Sequence, residues 1–181
     1  MRTFVAVEVA SKDAIGNMLE FQKTLLSAGL KAKPISSNQL HFTLMFLGEI
    51  SEVMLDSIKS KLADMKFDPL QVTYTGVGAF PSIKSPRIIW VGVDDAAAPK
   101  LIQLAKAVEA RLSTLGFKSD KPFTPHITLF RVKDRIRDAD SIIQHKNRVF
   151  GEDLLNEVKL KKSDLTPSGP VYNDLFAIRG S

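Results

Sequence analysis

Cysteine is absent from the 181 residues, which excludes disulfides, thiolate metal ligands and a cysteine nucleophile. Long apolar runs are missing too. The stretch near the start, Phe4 to Val7, stops at Glu8, so the sequence offers neither an apolar span of ~18 residues nor the core of a secretion signal. A soluble, cytoplasmic protein with no membrane partner is the expectation. No low-complexity linker divides the chain, and residues 1–181 read as one α+β unit.

What is present is ordinary for a globular protein: 44% hydrophobic and 25% charged residues with mean hydropathy near zero, which excludes disorder, a coiled coil and a collagen-like fibre. Charge of one sign is in modest excess, 25 Lys and Arg against 20 Asp and Glu, a lean toward anionic partners such as nucleotides or RNA. Met1 to Phe117 holds 13 basic and 11 acidic residues, whereas Lys118 to Lys162 holds 11 and 7. The excess gathers around Arg131, Lys133, Arg135 and Arg137. These are expected to guide an RNA body by an attraction that weakens with added salt; the plainer reading is a solvated strand end with Asp134 and Asp138 interleaved.

Patterning predicts strands at Arg2–Val9, Leu40–Leu47, Leu70–Val77, Arg87–Val93, His126–Val132, Leu155–Leu160 and Val171–Ile178. Ser11 and Ser51 are candidate caps of two helices, and Gly29 supplies a left-handed stop for the first. Ile15, Met18, Leu19, Leu25 and Leu26 form the expected buried stripe of the first helix, and Met54, Leu55, Ile58, Leu62 and Met65 that of the second. A third helix starts near Pro99, repeats Leu101, Leu104, Ala105, Val108, Leu112 and Leu115 along one face, and ends at Gly116. A weaker helix is expected over Asp138–Lys146. Gly78 to Pro86 and Ser163 to Pro170 read as loops, with Phe80 packing inward or facing a ligand.

One internal echo stands out. His41-Phe42-Thr43-Leu44 and His126-Ile127-Thr128-Leu129 repeat the pattern His-apolar-Thr-Leu 85 residues apart, and they hold two of the three histidines. Alternation along a strand places His41 beside Thr43 on one face, and His126 beside Thr128. If an internal pseudo-twofold opposes the two faces, two imidazoles and two hydroxyls meet over an apolar floor. That set suits in-line chemistry at a phosphodiester. One neutral ring takes a proton from the attacking oxygen and one imidazolium gives a proton to the leaving oxygen, each step contributing ~10²- to 10⁴-fold. The hydroxyls would hold non-bridging oxygens, and Arg131 would add a charge-assisted fork. Neither metal nor cofactor is required. A zinc site is the competing reading, weakened because no carboxylate sits in either motif. A single His-x-Thr is most often a structural pair, but folding gives little reason for histidine at both sites, since a buried imidazole needs partners of its own. His145, in Gln144-His145-Lys146-Asn147, carries no motif and reads as a surface residue.

With these motifs, the opening Met1-Arg2-Thr3-Phe4-Val5-Ala6-Val7, the run Leu40 to Glu49, the segment Pro86-Arg87-Ile88-Ile89-Trp90-Val91-Gly92 and the close Leu165-Thr166-Pro167-Ser168-Gly169-Pro170-Val171-Tyr172, the sequence resembles the two-histidine phosphoesterase superfamily. Within it, the sequence is similar to the RNA 2′,3′-cyclic phosphodiesterases, also called 2′-5′ RNA ligases. The resemblance implies a bilobal α+β fold, two antiparallel sheets facing a central cleft with helices outside. It implies metal-independent opening of an RNA terminal 2′,3′-cyclic phosphate to a 2′-phosphate. His41 and His126 would be the acid/base pair, with the base left open between them; Thr43, Thr128 and Arg131 would bind phosphate, and Phe46 would pack. The reverse course, with a 5′-hydroxyl in place of water, would give minor 2′-5′ ligation. The expected partner is an RNA end or a small cyclic nucleotide, and the expected state a monomer. Two alternatives stand beside this: a nonenzymatic binder of nucleotide or RNA-end phosphate, and hydrolysis of cyclic nucleotides or ADP-ribose 1″,2″-cyclic phosphate by the same residues.

Overall fold

The structure, a computed structural model, describes residues 1–136 and 139–181. Arg137 and Asp138, which belong to the basic segment and to the start of the weak helix, lie outside the described residues. In chain order the elements are β1 (Arg2–Glu8), α1 (Lys12–Ser27), β2 (Lys33–Pro34), β3 (His41–Glu49), α2 (Glu52–Ala63), β4 (Leu70–Phe80), β5 (Ile88–Val93), α3 (Ala97–Ser113), β6 (Ile127–Arg131), α4 (Asp140–Ile143), β7 (Val149–Leu155), β8 (Glu157–Thr166) and β9 (Gly169–Arg179). Two antiparallel sheets result, β3-β1-β8-β9 and β2-β6-β5-β4-β7. Among the described residues no helix is long and apolar enough to cross a membrane.

The repeat in the sequence is a repeat in space. β1, α1 and β3 form a strand-helix-strand unit whose strands pair antiparallel, and β5, α3 and β6 form the second. The sheets are nevertheless not the two halves of the chain. β2 crosses to the edge of the second sheet against β6, and β8 and β9 return to the first sheet beside β1. The helices cross as well: α1 packs on β6 and β7, while α3 packs on β3, β4 and α2.

Local chemistry accounts for the helix ends. Ser11 and Ser51 accept from the backbone N–H of Ala14 and Met54, both at 3.2 Å, and Gly29 and Gly116 follow their helices with φ of 100° and 90°. The buried face of α1 differs from the expected stripe: it is Ala14, Met18, Phe21, Gln22 and Leu25, while Leu26 is exposed. The helix lies close on backbone, so a small and a polar side chain are needed there. A Cβ built on Gly151 of β7 would lie 3.5 Å from Ala14, and Gln22 Nε2 donates to the carbonyls of Ile35 and Leu129, each at 2.9 Å. His145 is half-buried, edge-on to the Phe21 ring at 5.0 Å, and is not the surface residue its sequence suggests.

Strand ends depart further from the sequence pattern. β4 continues through Gly78, Ala79 and Phe80 because Gly78 pairs with Trp90, and the indole lies across the glycine; a Cβ there would be 2.3 Å from a Trp90 ring carbon. A glycine that reads as a breaker is a close approach. β8 and β9 likewise extend through most of the turn-rich segment, pairing as far as Thr166 with Gly169, with Pro170 tolerated opposite Leu165. β7 was not expected.

The sheets are locked together behind β3. Phe42, on the face opposite His41 and Thr43, stacks on Tyr74 of β4 with centroids 6.1 Å apart. The Tyr74 hydroxyl donates to Asp153 Oδ2 of β7 at 2.7 Å, and the same oxygen accepts the Ala10 N–H just beyond β1 at 2.8 Å. Tyr74 is fully buried and Asp153 nearly so. A buried carboxylate that loses one of its donors bears the desolvation cost of the missing bond. Tyr74→Phe therefore lowers the unfolding free energy by about 1 to 3 kcal/mol, read from the urea midpoint; an unchanged midpoint contradicts the lock.

Candidate active site

The two motif strands open on one cavity of about 610 Å³, lined by His41, Thr43, His126, Thr128 and Arg131 together with Phe46. All five predicted site residues are thus brought together. The volume lies in the ~300 to 1,000 Å³ range of small-ligand sites. Among the described residues no three His, Cys, Asp or Glu side chains gather into a metal-binding set.

Each motif ends in the same irregularity. Along β3 the partners of Val5 and Ala6 are Met45 and Thr43, so Leu44 is an extra residue. Along β6 the partners of Ile89 and Trp90 are Phe130 and Thr128, so Leu129 is extra. A bulge three residues past each histidine resets the alternation. Leu44 and Met45 are both buried, as are Leu129 and Phe130, and the fifth residue past each histidine returns to the cleft. Simple alternation would have turned Arg131 away from the face of His126 and Thr128; the bulge delivers it. Phe46 is delivered in the same way; its ring lies 6.3 Å from that of Phe4, yet it is 70% exposed, so it packs on one side only.

The two rings are held alike. His41 Nδ1 lies 2.6 Å from the Gln39 carbonyl and His126 Nδ1 lies 2.7 Å from the Thr124 carbonyl. A carbonyl only accepts, so Nδ1 carries the proton in both neutral rings and Nε2 is the nitrogen left to act. His41 Nε2 meets Thr43 Oγ1 at 2.9 Å. The surroundings differ. His41 packs against Phe4 at 5.3 Å and Tyr172 at 5.5 Å, whereas His126 stands edge-on to Phe80 at 5.0 Å with Trp90 beyond at 6.4 Å.

Beside His41 lies a cluster of charges. Lys159 and Lys161 of β8 each bridge Glu8 of β1 and Asp174 of β9. The Lys161 side chain is only 5% exposed, so its charge is compensated by two carboxylates. Burial works to raise Glu8 and Asp174, but the lysine hydrogen bonds outweigh it and both carboxyls sit below their ordinary values. The first sheet supplies further lining to which the sequence reading assigns no role. Tyr172 and Pro170 come from β9, Ser163 and Leu165 from β8, and Gln39 Nε2 donates to the Pro170 carbonyl at 2.6 Å, tying this hairpin to the entry of β3. Only the strand pairing of a segment that reads as a turn could have placed them.

Both imidazoles titrate below the ordinary 6.5. For His41 the largest cause is burial, opposed by the Gln39 carbonyl and Glu8 and reinforced by Lys161 and Arg131. For His126 it is burial against the Thr124 carbonyl. Both rings are therefore neutral in the free protein at neutral pH. A pH titration of the ring nitrogens by NMR should give two midpoints below 6.5; a midpoint above it for either ring contradicts this environment.

Comparison with known proteins agrees with the geometry. A family model described as the AKAP7 2′5′ RNA ligase-like domain matches residues 2–173. The protein named RNA 2′,3′-cyclic phosphodiesterase from Archaeoglobus fulgidus is 40% identical over 176 residues, 97% of this chain and 98% of its own. Its namesake from Methanocaldococcus jannaschii is 33% identical over 175 residues, 95% and 96% of the two chains. Among solved structures, TT0787 of Thermus thermophilus matches with a TM-score of 0.84 at 30% identity, covering 99% of this chain and 97% of that one. E. coli LigT complexed with 3′-AMP shares the fold, with a TM-score of 0.79 at 21% identity over 99% and 98% of the chains. Two motif strands of one design, set in opposed sheets and matched along nearly the whole length, place the chain in the 2′5′ RNA ligase-like family of two-histidine phosphoesterases.

Proposed function

We propose that this protein opens RNA terminal 2′,3′-cyclic phosphates to 2′-phosphates, with His41 and His126 as the acid/base pair and without a metal or cofactor. The observation that carries the reading is the matched pair of rings, each with Nδ1 tied to the carbonyl two residues upstream and each lining the same cavity. Relatives covering nearly the whole chain are named RNA 2′,3′-cyclic phosphodiesterases, which supports the substrate class.

In this reading the chain acts as a single bilobal unit. Thr43 and Thr128 hydrogen-bond the non-bridging oxygens, and the Arg131 guanidinium neutralises charge that builds in the transition state. The anionic phosphodiester, once bound, draws a proton onto one ring and so forms the imidazolium that the free site lacks. The other ring, still neutral, takes the proton of water as it attacks phosphorus opposite the 3′ oxygen. The P–O3′ bond breaks, the imidazolium protonates the departing oxygen, and the phosphate stays on O2′. A 5′-hydroxyl in the place of water gives 2′-5′ ligation by the same transfers.

Phe46, exposed at the mouth of the cavity, offers a stacking face to a nucleobase. The test is turnover of a nucleoside 2′,3′-cyclic phosphate in excess EDTA, with the product read by phosphorus NMR. A 2′-phosphate is expected, with kcat reduced by about 10²- to 10⁴-fold in each of His41→Ala and His126→Ala. Binding without turnover would support a phosphate-binding module instead, and activity abolished by EDTA would bring a metal into the mechanism.

A further inference from the structure

A second groove of about 660 Å³ adjoins the catalytic cavity, and the two share Thr43, Phe46, Ile88 and His126. Neither His41, Thr128 nor Arg131 lines it, so the phosphate site is on one side of this shared wall and the groove on the other. Part of its lining is apolar and aromatic, with Phe46, Phe80, Pro81 and Phe123. The lining also includes Arg87, Lys118 and Lys121 against the single carboxylate of Asp120, and all three cations are exposed. Aromatic rings beside exposed cations match a nucleotide, which brings a base to stack and a phosphate to pair. Water needs no such groove.

We propose that this groove is the subsite for an acceptor strand, holding the nucleotide whose 5′-hydroxyl attacks the cyclic phosphate. The proposal rests on the phosphodiesterase reading above and deepens it. In-line displacement puts the nucleophile and the departing O3′ on opposite sides of phosphorus, and the terminal ribose, which carries both O2′ and O3′, occupies the leaving side. A nucleophile with a body of its own therefore needs separate space on the far side. His126 is the motif histidine that lines the groove, so it is the ring an incoming 5′-hydroxyl meets. The P–O5′ bond forms as the P–O3′ bond breaks. The hydroxyl proton passes to His126 Nε2, and protonated His41 supplies one to O3′, so no oxidant, metal or nucleotide cofactor enters the balance.

The test uses the full chain as wild type and as the Lys118→Glu/Lys121→Glu variant, both changes being at exposed positions. A donor with a 2′,3′-cyclic phosphate is mixed with a 5′-hydroxyl oligonucleotide, and ligated and hydrolysed products are counted. Reversing two charges that line the groove should lower the ratio of ligation to hydrolysis by about tenfold or more. An unchanged ratio, or wild type that hydrolyses but never ligates, overturns the acceptor subsite while leaving the phosphodiesterase reading intact. A variant that instead raises KM for a dinucleotide cyclic phosphate, with the mononucleotide unaffected, gives the groove to the donor's own second nucleotide and also overturns it. Wild type that does not hydrolyse the cyclic phosphate at all removes the underlying reading.

Discussion

The stacking of Phe42 on Tyr74, fixed by the Tyr74 hydrogen bond to Asp153, sets where the two sheets stand relative to each other. Phe42 is the residue between His41 and Thr43, so the back of the first motif is itself the contact with the second sheet. Asp153 also takes the Ala10 N–H, which pins the chain as it leaves β1. Two imidazoles can act on one phosphate only if their strands are held to a fraction of an ångström. Here a ring stack and two hydrogen bonds to one buried carboxylate oxygen act from behind the first motif, leaving the face that carries His41 and Thr43 open to the cleft.

Pseudo-symmetry gives the site its economy, and its breaking gives it direction. Both histidines are oriented by a carbonyl two residues upstream, and both strands bulge three residues downstream. The residue delivered to the cleft by each bulge then differs: Phe46 on one side, an aromatic face, and Arg131 on the other, a cation. The flanks differ in the same sense. His41 stands near the compensated charges of Glu8, Lys159, Lys161 and Asp174, and His126 among the aromatic rings of Phe80 and Trp90. A substrate whose ends are chemically distinct therefore meets a cleft whose ends are distinct.

Much of this was legible in the sequence, for local reasons. Helix caps at Ser11 and Ser51, the left-handed Gly29 and the His-x-Thr alternation depend on neighbours within a few residues, and each stands as expected. What depended on distant partners was not legible. The bulges that turn Phe46 and Arg131 into the cleft appear only when the partner strand is known. Gly78 reads as a breaker until Trp90 lies across it. Ala14 and Gln22 stand outside the expected stripe of the first helix and are buried only because β7 and the carbonyls of Ile35 and Leu129 lie beneath α1. The exchange of β2 and of β8 and β9 between sheets leaves no mark on local composition.

The central claim is that His41 and His126 address the same phosphate. Nitrogen-15 NMR of the two rings during titration with the 2′-nucleotide product tests it directly. The account predicts that Nε2 of both rings responds along a single binding curve while both Nδ1 protons stay in place on their carbonyls. A response confined to one ring, with the other unmoved at saturation, would contradict it.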